Sequence, residues 1–329
     1  MRDRIRRRDF IILAGGAAAV WPLAAQAQAA MPVIGYLAAG SSKGDEQIAA
    51  ALFKGLAETG YEDGKNVRIE YRWADNQYER LPSMAADLVR QKVAVIAATT
   101  TPAAKAAKQA TTTIPIVFTT ISDPVQIGFV ASLNRPGGNL TGVSFFTNQM
   151  EPKRLGLLHE VVPKVDLIAV LLNPNNPFFD NQSRELGEAS RALGLKIHVE
   201  RASSETDIAT AFAAFARQQA GALLVGADPY FNSQRSLVIA PAAQLRLPAI
   251  YEWREFAEAG GLMSYGTSLT EAYRQASDFV VRILKGEKPA DMPVLQSTKF
   301  EFVINLKTSK TLGIEFHPQL LARVDEVIE

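Results

Sequence analysis

The 329-residue chain contains no cysteine. That absence excludes a disulfide framework, a thiolate metal site, a thiol nucleophile and a lipidated cysteine near the N-terminus. Histidine is nearly as scarce: His159, His198 and His317 are the full complement, and none stands in HExxH or HxH spacing. No metal site and no cofactor are expected. A Walker A loop and a G-x-S-x-G nucleophile elbow are missing too, and Pro136-Gly137-Gly138-Asn139 reads as a plain turn. Nor is there an excess of either charge, with 35 Lys+Arg against 34 Asp+Glu. A nucleic-acid partner needs a concentrated basic face and is not expected. What is present, 47% hydrophobic and 21% charged residues, describes a globular chain of about two domains of ~100–200 residues each.

The first thirty residues stand apart. Arg2, Arg4, Arg6, Arg7 and Arg8 precede an apolar stretch from Phe10 to Ala25, too short and too rich in Gly and Ala to span a bilayer stably. Arg7-Arg8-Asp9-Phe10-Ile11-Ile12 resembles the twin-arginine export motif, and Ala25-Gln26-Ala27-Gln28-Ala29 offers the small residues that a signal peptidase needs. Residues 1–30 are therefore expected to be an export signal cleaved on delivery to the periplasm, an uncut basic anchor being the alternative. Without them 30 Lys+Arg face 32 Asp+Glu, a net charge of −2. No second long apolar run follows, so the mature chain is not expected to be membrane-embedded.

From Met31 onward short apolar runs alternate with helical stretches. Val33–Leu37, Val67–Trp73, Val93–Ala98 and Ile114–Phe118 read as strands, with helices over 45–59, 81–91 and 102–110 between them. The grammar restarts near residue 150, with strands at Leu167–Leu172, Leu195–Glu200, Ala222–Gly226 and Leu247–Tyr251. Such alternation predicts parallel sheets with helices on both faces: an α/β fold of two Rossmann-like, three-layer α/β/α lobes. Leu140–Phe145, Gly261–Gly266 and the stretch around Pro289 and Pro293 read as three crossings between the lobes, followed by a strand near 299–306 and a terminal helix over 318–328. The expected division is 31–143 plus 266–288 for lobe 1 and 144–265 plus 289–329 for lobe 2.

No catalytic constellation emerges, and no catalytic residue is assigned. What recurs is polar residues just beyond the strands, where open parallel sheets bind their ligands. In the first half these are Ser41, Ser42, Thr100, Thr101, Thr120 and Asp123; in the second they are Asn173, Asn175, Asp228 and Tyr251. Ordinary helix capping accounts for each loop taken singly. Taken together they offer hydroxyls and helix N–H groups for a carboxylate, Asp123 or Asp228 for an ammonium, and aromatic rings for an apolar side chain.

Several longer segments carry a resemblance: Met31–Leu37, Val93–Thr99, Thr112–Phe118, Ser122–Val125, Ser132–Phe145, Asn173–Pro177, Gly226–Pro229 and Lys299–Thr308. Together with the leader they resemble the ABC-transporter substrate-binding family related to tryptophan- and tyrosine-binding lipoproteins. The resemblance implies a type I periplasmic binding fold with three crossover strands, a small-molecule ligand held between the lobes, and separate permease and ATPase partners. Its better-studied members bind aromatic amino acids, so the expected function is a periplasmic receptor for a small metabolite, an amino acid above all, rather than an enzyme. A two-lobed cleft hydrolase using paired carboxylates and a periplasmic ligand sensor are the alternatives. Carried over by position, the resemblance adds Ser144 and Tyr265 near the hinge to the ligand-binding set, while Phe145 and Phe146 read either as ring-stacking residues or as core. The reading requires an interlobe gap that the chain's own side chains do not fill.

Overall fold

The computed structural model describes residues 31–145, 150–297 and 299–329. The leader read over residues 1–30, and Phe146, lie outside the described residues. Pro32–Glu329 forms one compact unit.

The first half runs β1 (Val33–Ala38), α1 (Glu46–Glu58), β2 (Arg68–Trp73), α2 (Leu81–Arg90), β3 (Val95–Ala98), α3 (Thr101–Ala110), β4 (Ile116–Thr120) and β5 (Leu140–Ser144). The second runs α4 (Glu151–Val161), β6 (Leu167–Leu172), α5 (Phe179–Leu193), β7 (Lys196–Arg201), α6 (Glu205–Arg217), β8 (Ala222–Val225), α7 (Pro229–Ser233), α8 (Arg235–Gln244), β9 (Ala249–Tyr251), α9 (Arg254–Glu258) and β10 (Met263–Thr267). The chain closes with α10 (Leu269–Leu284), β11 (Leu295–Gln296), β12 (Phe300–Asn305), α11 (Leu306–Leu312), α12 (Pro318–Leu321) and β13 (Glu326–Ile328).

Two sheets result, ordered β11-β5-β4-β3-β1-β2 and β13-β12-β10-β9-β8-β6-β7. Within each, the first five strands of the half take the doubly wound order 2-1-3-4-5, so the alternation read from the sequence corresponds to one topology used twice. All pairs are parallel except β10 with β12. The central strands are apolar on both faces because helices cover both: β3 and β8 are buried at every residue, whereas edge strand β2 buries only Ile69. Gly142 in β5 has φ +151°, and a Cβ there would lie 2.0 Å from the Phe118 carbonyl oxygen, so only glycine lets β5 lie this close to β4.

Three details differ from the sequence expectation. The segments around 140–144 and 263–267 are full sheet strands, and the crossings lie just beyond them: between β5 and α4, between β10 and α10, and between β11 and β12. Residues 289–297 belong with the first sheet rather than the second lobe, since β11 pairs with β5 and Thr141 Oγ1 donates to the Met292 carbonyl at 2.7 Å. The terminal helix stops at Leu321; β13 then adds to the edge of β12, whose open backbone groups favour a strand there.

A contiguous apolar cluster runs from β1, α1 and α10 through Ile121, Phe145, Tyr230 and Trp253 to β6 and β8. The two lobes are therefore drawn together. Smaller clusters fill the outer faces of the first sheet, beneath α2 and α3, and of the second, beneath α4.

Candidate functional site

In each sheet the strand order reverses beside its first strand, and the loops leaving the carboxyl ends diverge there into a crevice. In lobe 1 the loop after β1 ends at Asp45, the residue before α1, which is 4% exposed. The loop after β3 supplies Thr99, Thr100 and Thr101. Thr100 caps α3, its Oγ1 accepting from the Ala103 N–H at 3.3 Å. Thr101 Oγ1 lies 2.9 Å from Thr120 Oγ1 and accepts from the Ile121 N–H. Opposite them, lobe 2 presents Pro229 and Asn232 from α7 and Trp253 before α9.

These residues enclose a cavity whose apolar surface comes from Ile48, Ile121, Phe145, Trp253 and Leu269. About 20 Å³ remains for the centre of a water-sized sphere, room for one or two waters. The gap demanded by the sequence reading is thus nearly closed in this arrangement, and any larger guest requires the lobes to part.

The polar groups around the cavity are unevenly satisfied. Among the described residues the Asp45 carboxylate has no hydrogen-bond donor; burial pushes it up to about 7, with the Arg235 charge opposing the shift. Asn232 Oδ1 and Trp253 Nε1 are buried and also make no hydrogen bond. Asp228 is the reverse case. Its carboxylate accepts from Tyr78 Oη at 2.9 Å, Asn173 Nδ2 at 2.8 Å, Asn176 Nδ2 at 2.8 Å and the Tyr230 N–H at 2.9 Å. Burial pushes it up to about 6, and those four donors oppose the shift. Because Tyr78 belongs to lobe 1 and Asp228 to lobe 2, this is an interlobe hydrogen bond. Ser233 Oγ donates to Asn76 Oδ1 at 2.8 Å beside it, and Arg235 Nη1 reaches the Gly44 carbonyl at 3.4 Å.

Of the residues read from the sequence, Thr100 and Thr101 line the cavity, and Thr120 supports Thr101 from behind. Phe145 lines it as well. Ser144 Oγ donates to the Ser122 carbonyl, and Asn173 holds Asp228; both side chains serve the protein's own hydrogen bonding. Ser41 accepts from the Gly44 N–H, Ser42 and Asn175 are exposed, and Asp123 caps the turn after β4 by accepting from Val125 N–H at 2.8 Å. Tyr251 and Tyr265 stand away from the cavity. Tyr251 stacks on Phe256 at 4.6 Å, and Tyr265 is half-buried, its ring stacked on Phe300.

Missed by the strand-end reading were Asp45, Asn232 and the apolar wall. Asp45 reads from sequence as an ordinary helix start, and Asn232 lies in a five-residue helix that leaves no periodic signal. Near the crossings, Glu151 and Arg154 are both fully buried; Glu151 Oε1 accepts from Gln182 and from the Ala227 N–H, and Arg154 donates to the Tyr265 carbonyl. Among the described residues no group of acidic or histidine side chains is arranged to hold a metal ion, and no helix is long and apolar enough to cross a membrane.

Comparison with known proteins places this geometry. A tyrosine-binding protein from Clostridioides difficile is 29% identical over 264 residues, covering 80% of this chain and 76% of that protein. An ABC domain from Streptococcus pneumoniae, solved in complex with L-Trp, superposes with a TM-score of 0.80 at 26% identity, over 90% of this chain and 99% of that one. A substrate binding protein with adhesive properties from Clostridium difficile, in its ligand-free, open form, covers the same shares at 27% identity with a TM-score of 0.62. The model for the family described as ABC transporter substrate binding protein matches residues 38–328, and the chain belongs to that family.

Proposed function

We propose that the mature chain is a periplasmic receptor of an ABC importer that binds a free amino acid with an aromatic side chain and delivers it, chemically unchanged, to a membrane permease driven by a separate ATPase. The observation that carries this reading is one cavity in which unsatisfied acceptors, a helix N-terminus and an apolar wall converge. An ammonium meets the Asp45 carboxylate and Asn232 Oδ1, whose burial without donors favours a cationic partner. The carboxylate meets the Thr100 hydroxyl and the positive end of α3. The side chain lies among Ile48, Ile121, Phe145 and Trp253.

Binding and closure are then one equilibrium. Opening separates Tyr78 from Asp228 and Ser233 from Asn76 and makes room for the ligand; closing onto it brings the lobes back toward one another and removes the ligand from water. A ligand that touches both lobes binds the closed form better and shifts the population toward it. The higher TM-score against the L-Trp complex than against the open relative, at nearly equal identity, supports treating this arrangement as the closed one. The relatives' tyrosine and tryptophan support the aromatic class, and the family supports the importer role and the extracytoplasmic location.

The test is a thermal-shift and calorimetric screen of the purified mature chain against the twenty free amino acids. At a ligand concentration near 100 times Kd, stabilisation of about 2.7 kcal/mol is expected, a rise of several degrees for tyrosine, tryptophan or phenylalanine. No response to any amino acid sinks the reading, and turnover of a bound solute favours the cleft-enzyme alternative.

A further inference from the structure

Lobe 2 holds a second cavity, at the edge of its sheet opposite to the carboxyl ends that face lobe 1. It is bounded by the end of α8, the loop Gly260–Leu262 before β10, and α11, and it shares no residue with the interlobe cavity. Its volume is about 170 Å³, comparable to cavities that accept a benzene-sized ring.

Its walls are apolar, from Ile239, Leu247, Leu262 and Leu312. At its base lies Tyr251, 1% exposed, whose hydroxyl has no hydrogen-bond partner among the described residues. Burial holds that hydroxyl above its ordinary range, so it stays protonated and able to donate. Gly261 passes so close that a Cβ there would lie 2.6 Å from Tyr251 Cε2; any side chain would push the ring out of place. At the rim stand Arg246 and Lys307, both exposed. Arg246 donates to the Thr311 carbonyl at 3.2 Å, which orients its guanidinium without neutralising it. Among the described residues neither cation has a carboxylate within ion-pair distance. A buried unpaired hydroxyl, an apolar sleeve and two unneutralised cations in line demand a ligand that is polar at both ends, with one end anionic.

We propose that this pocket is a second binding site, for a small hydroxyaryl carboxylate whose carboxylate pairs with Arg246 and Lys307 and whose ring hydroxyl meets Tyr251. Neither the cleft nor an amino-acid ligand enters this argument, so the site stands or falls independently of the function proposed above.

The probe is 4-hydroxybenzoate, with benzoate as its control, titrated calorimetrically into the wild-type mature chain. Binding in the submillimolar range is expected. The double variant R246Q/K307Q removes surface charge only and is expected to weaken it at least tenfold. Tyr251→Phe keeps the packing and is expected to erase the preference for 4-hydroxybenzoate over benzoate. Asp45→Ala, in the cleft, is expected to leave the affinity unchanged. The proposal is overturned by absence of binding up to about 10 mM, by full affinity in R246Q/K307Q, or by loss of binding in Asp45→Ala.

Discussion

Asp45 and Asp228 are two buried carboxylates, each in a loop that leaves a parallel strand beside the strand-order reversal of its sheet, and the molecule treats them oppositely. Asp228 accepts four hydrogen bonds, one from across the interlobe boundary. Asp45 accepts none among the described residues and feels Arg235 only at a distance. Position in the topology is thus shared, while hydrogen-bond saturation divides the roles. A carboxylate already ringed by donors has its demand met by the protein itself, whereas one buried without donors keeps an unmet demand, which under the proposed function a cationic ligand would meet.

The sharpest way to break this comparison is Asp45→Ala. Amino-acid affinity is expected to fall at least about 100-fold, because removing one partner of a desolvated charge pair leaves the other stranded. The melting temperature of the ligand-free chain is expected to hold or rise, since an unpaired buried carboxylate is lost. Calorimetry beside a thermal melt reads both, and unchanged affinity places the ammonium elsewhere.

Asp228→Ala should behave the other way round. Four donors lose their acceptor, so stability is expected to fall by about 3 kcal/mol, measured by denaturant titration, with a smaller loss of affinity through the closed form. An affinity loss exceeding that of Asp45→Ala would reverse the two roles.

Acidity separates the pair further. The folded chain holds the Asp45 proton up to about 7, against an ordinary value of 3.8. The folded state therefore binds more protons than the unfolded one, and its stability falls as pH rises from about 4 toward about 7. Burial shifts Asp228, Glu151 and Glu255 in the same direction, so all four contribute. Amino-acid affinity is expected to rise over the upper part of that window, because an ammonium prefers the ionised carboxylate. Titrations at pH 5.5 and 8 should differ several-fold in the wild type and much less in Asp45→Asn. Equal pH dependence in that variant would assign the effect to another group.

The smallest effects belong to strand-end residues left in solvent. Ser42→Ala and Asn175→Ala are expected to change affinity and stability within twofold, as exposed side chains without partners do. A larger change in the amino-acid titration would mean that the open form uses them.

Much of this architecture was readable beforehand. The doubly wound halves follow from apolar runs of strand length between amphipathic helices, and Thr100-Thr101-Pro102 announced both a helix start and a cavity wall. Local pattern failed where the determining contact is remote. Leu295–Gln296 shows no strand period, yet its pairing with β5 brings residues 289–297 to the first lobe. Glu326–Ile328 continues a helical pattern until the bare edge of β12 claims it. Tyr251, at the end of a strand like any ligand contact, turns to the far side of its sheet because Gly261 leaves space for its ring there.

Hydropathy period and turn chemistry, which act over a few residues, were enough to specify two α/β lobes and their strand-end loops. They had no hold on which polar groups would reach a partner. Donors for Asp228 come from residues 55 and 150 positions away, and the isolation of Asp45 is a property of everything packed around it. Satisfaction of a buried charge is a matter of three-dimensional neighbourhood, and folding brought that neighbourhood together.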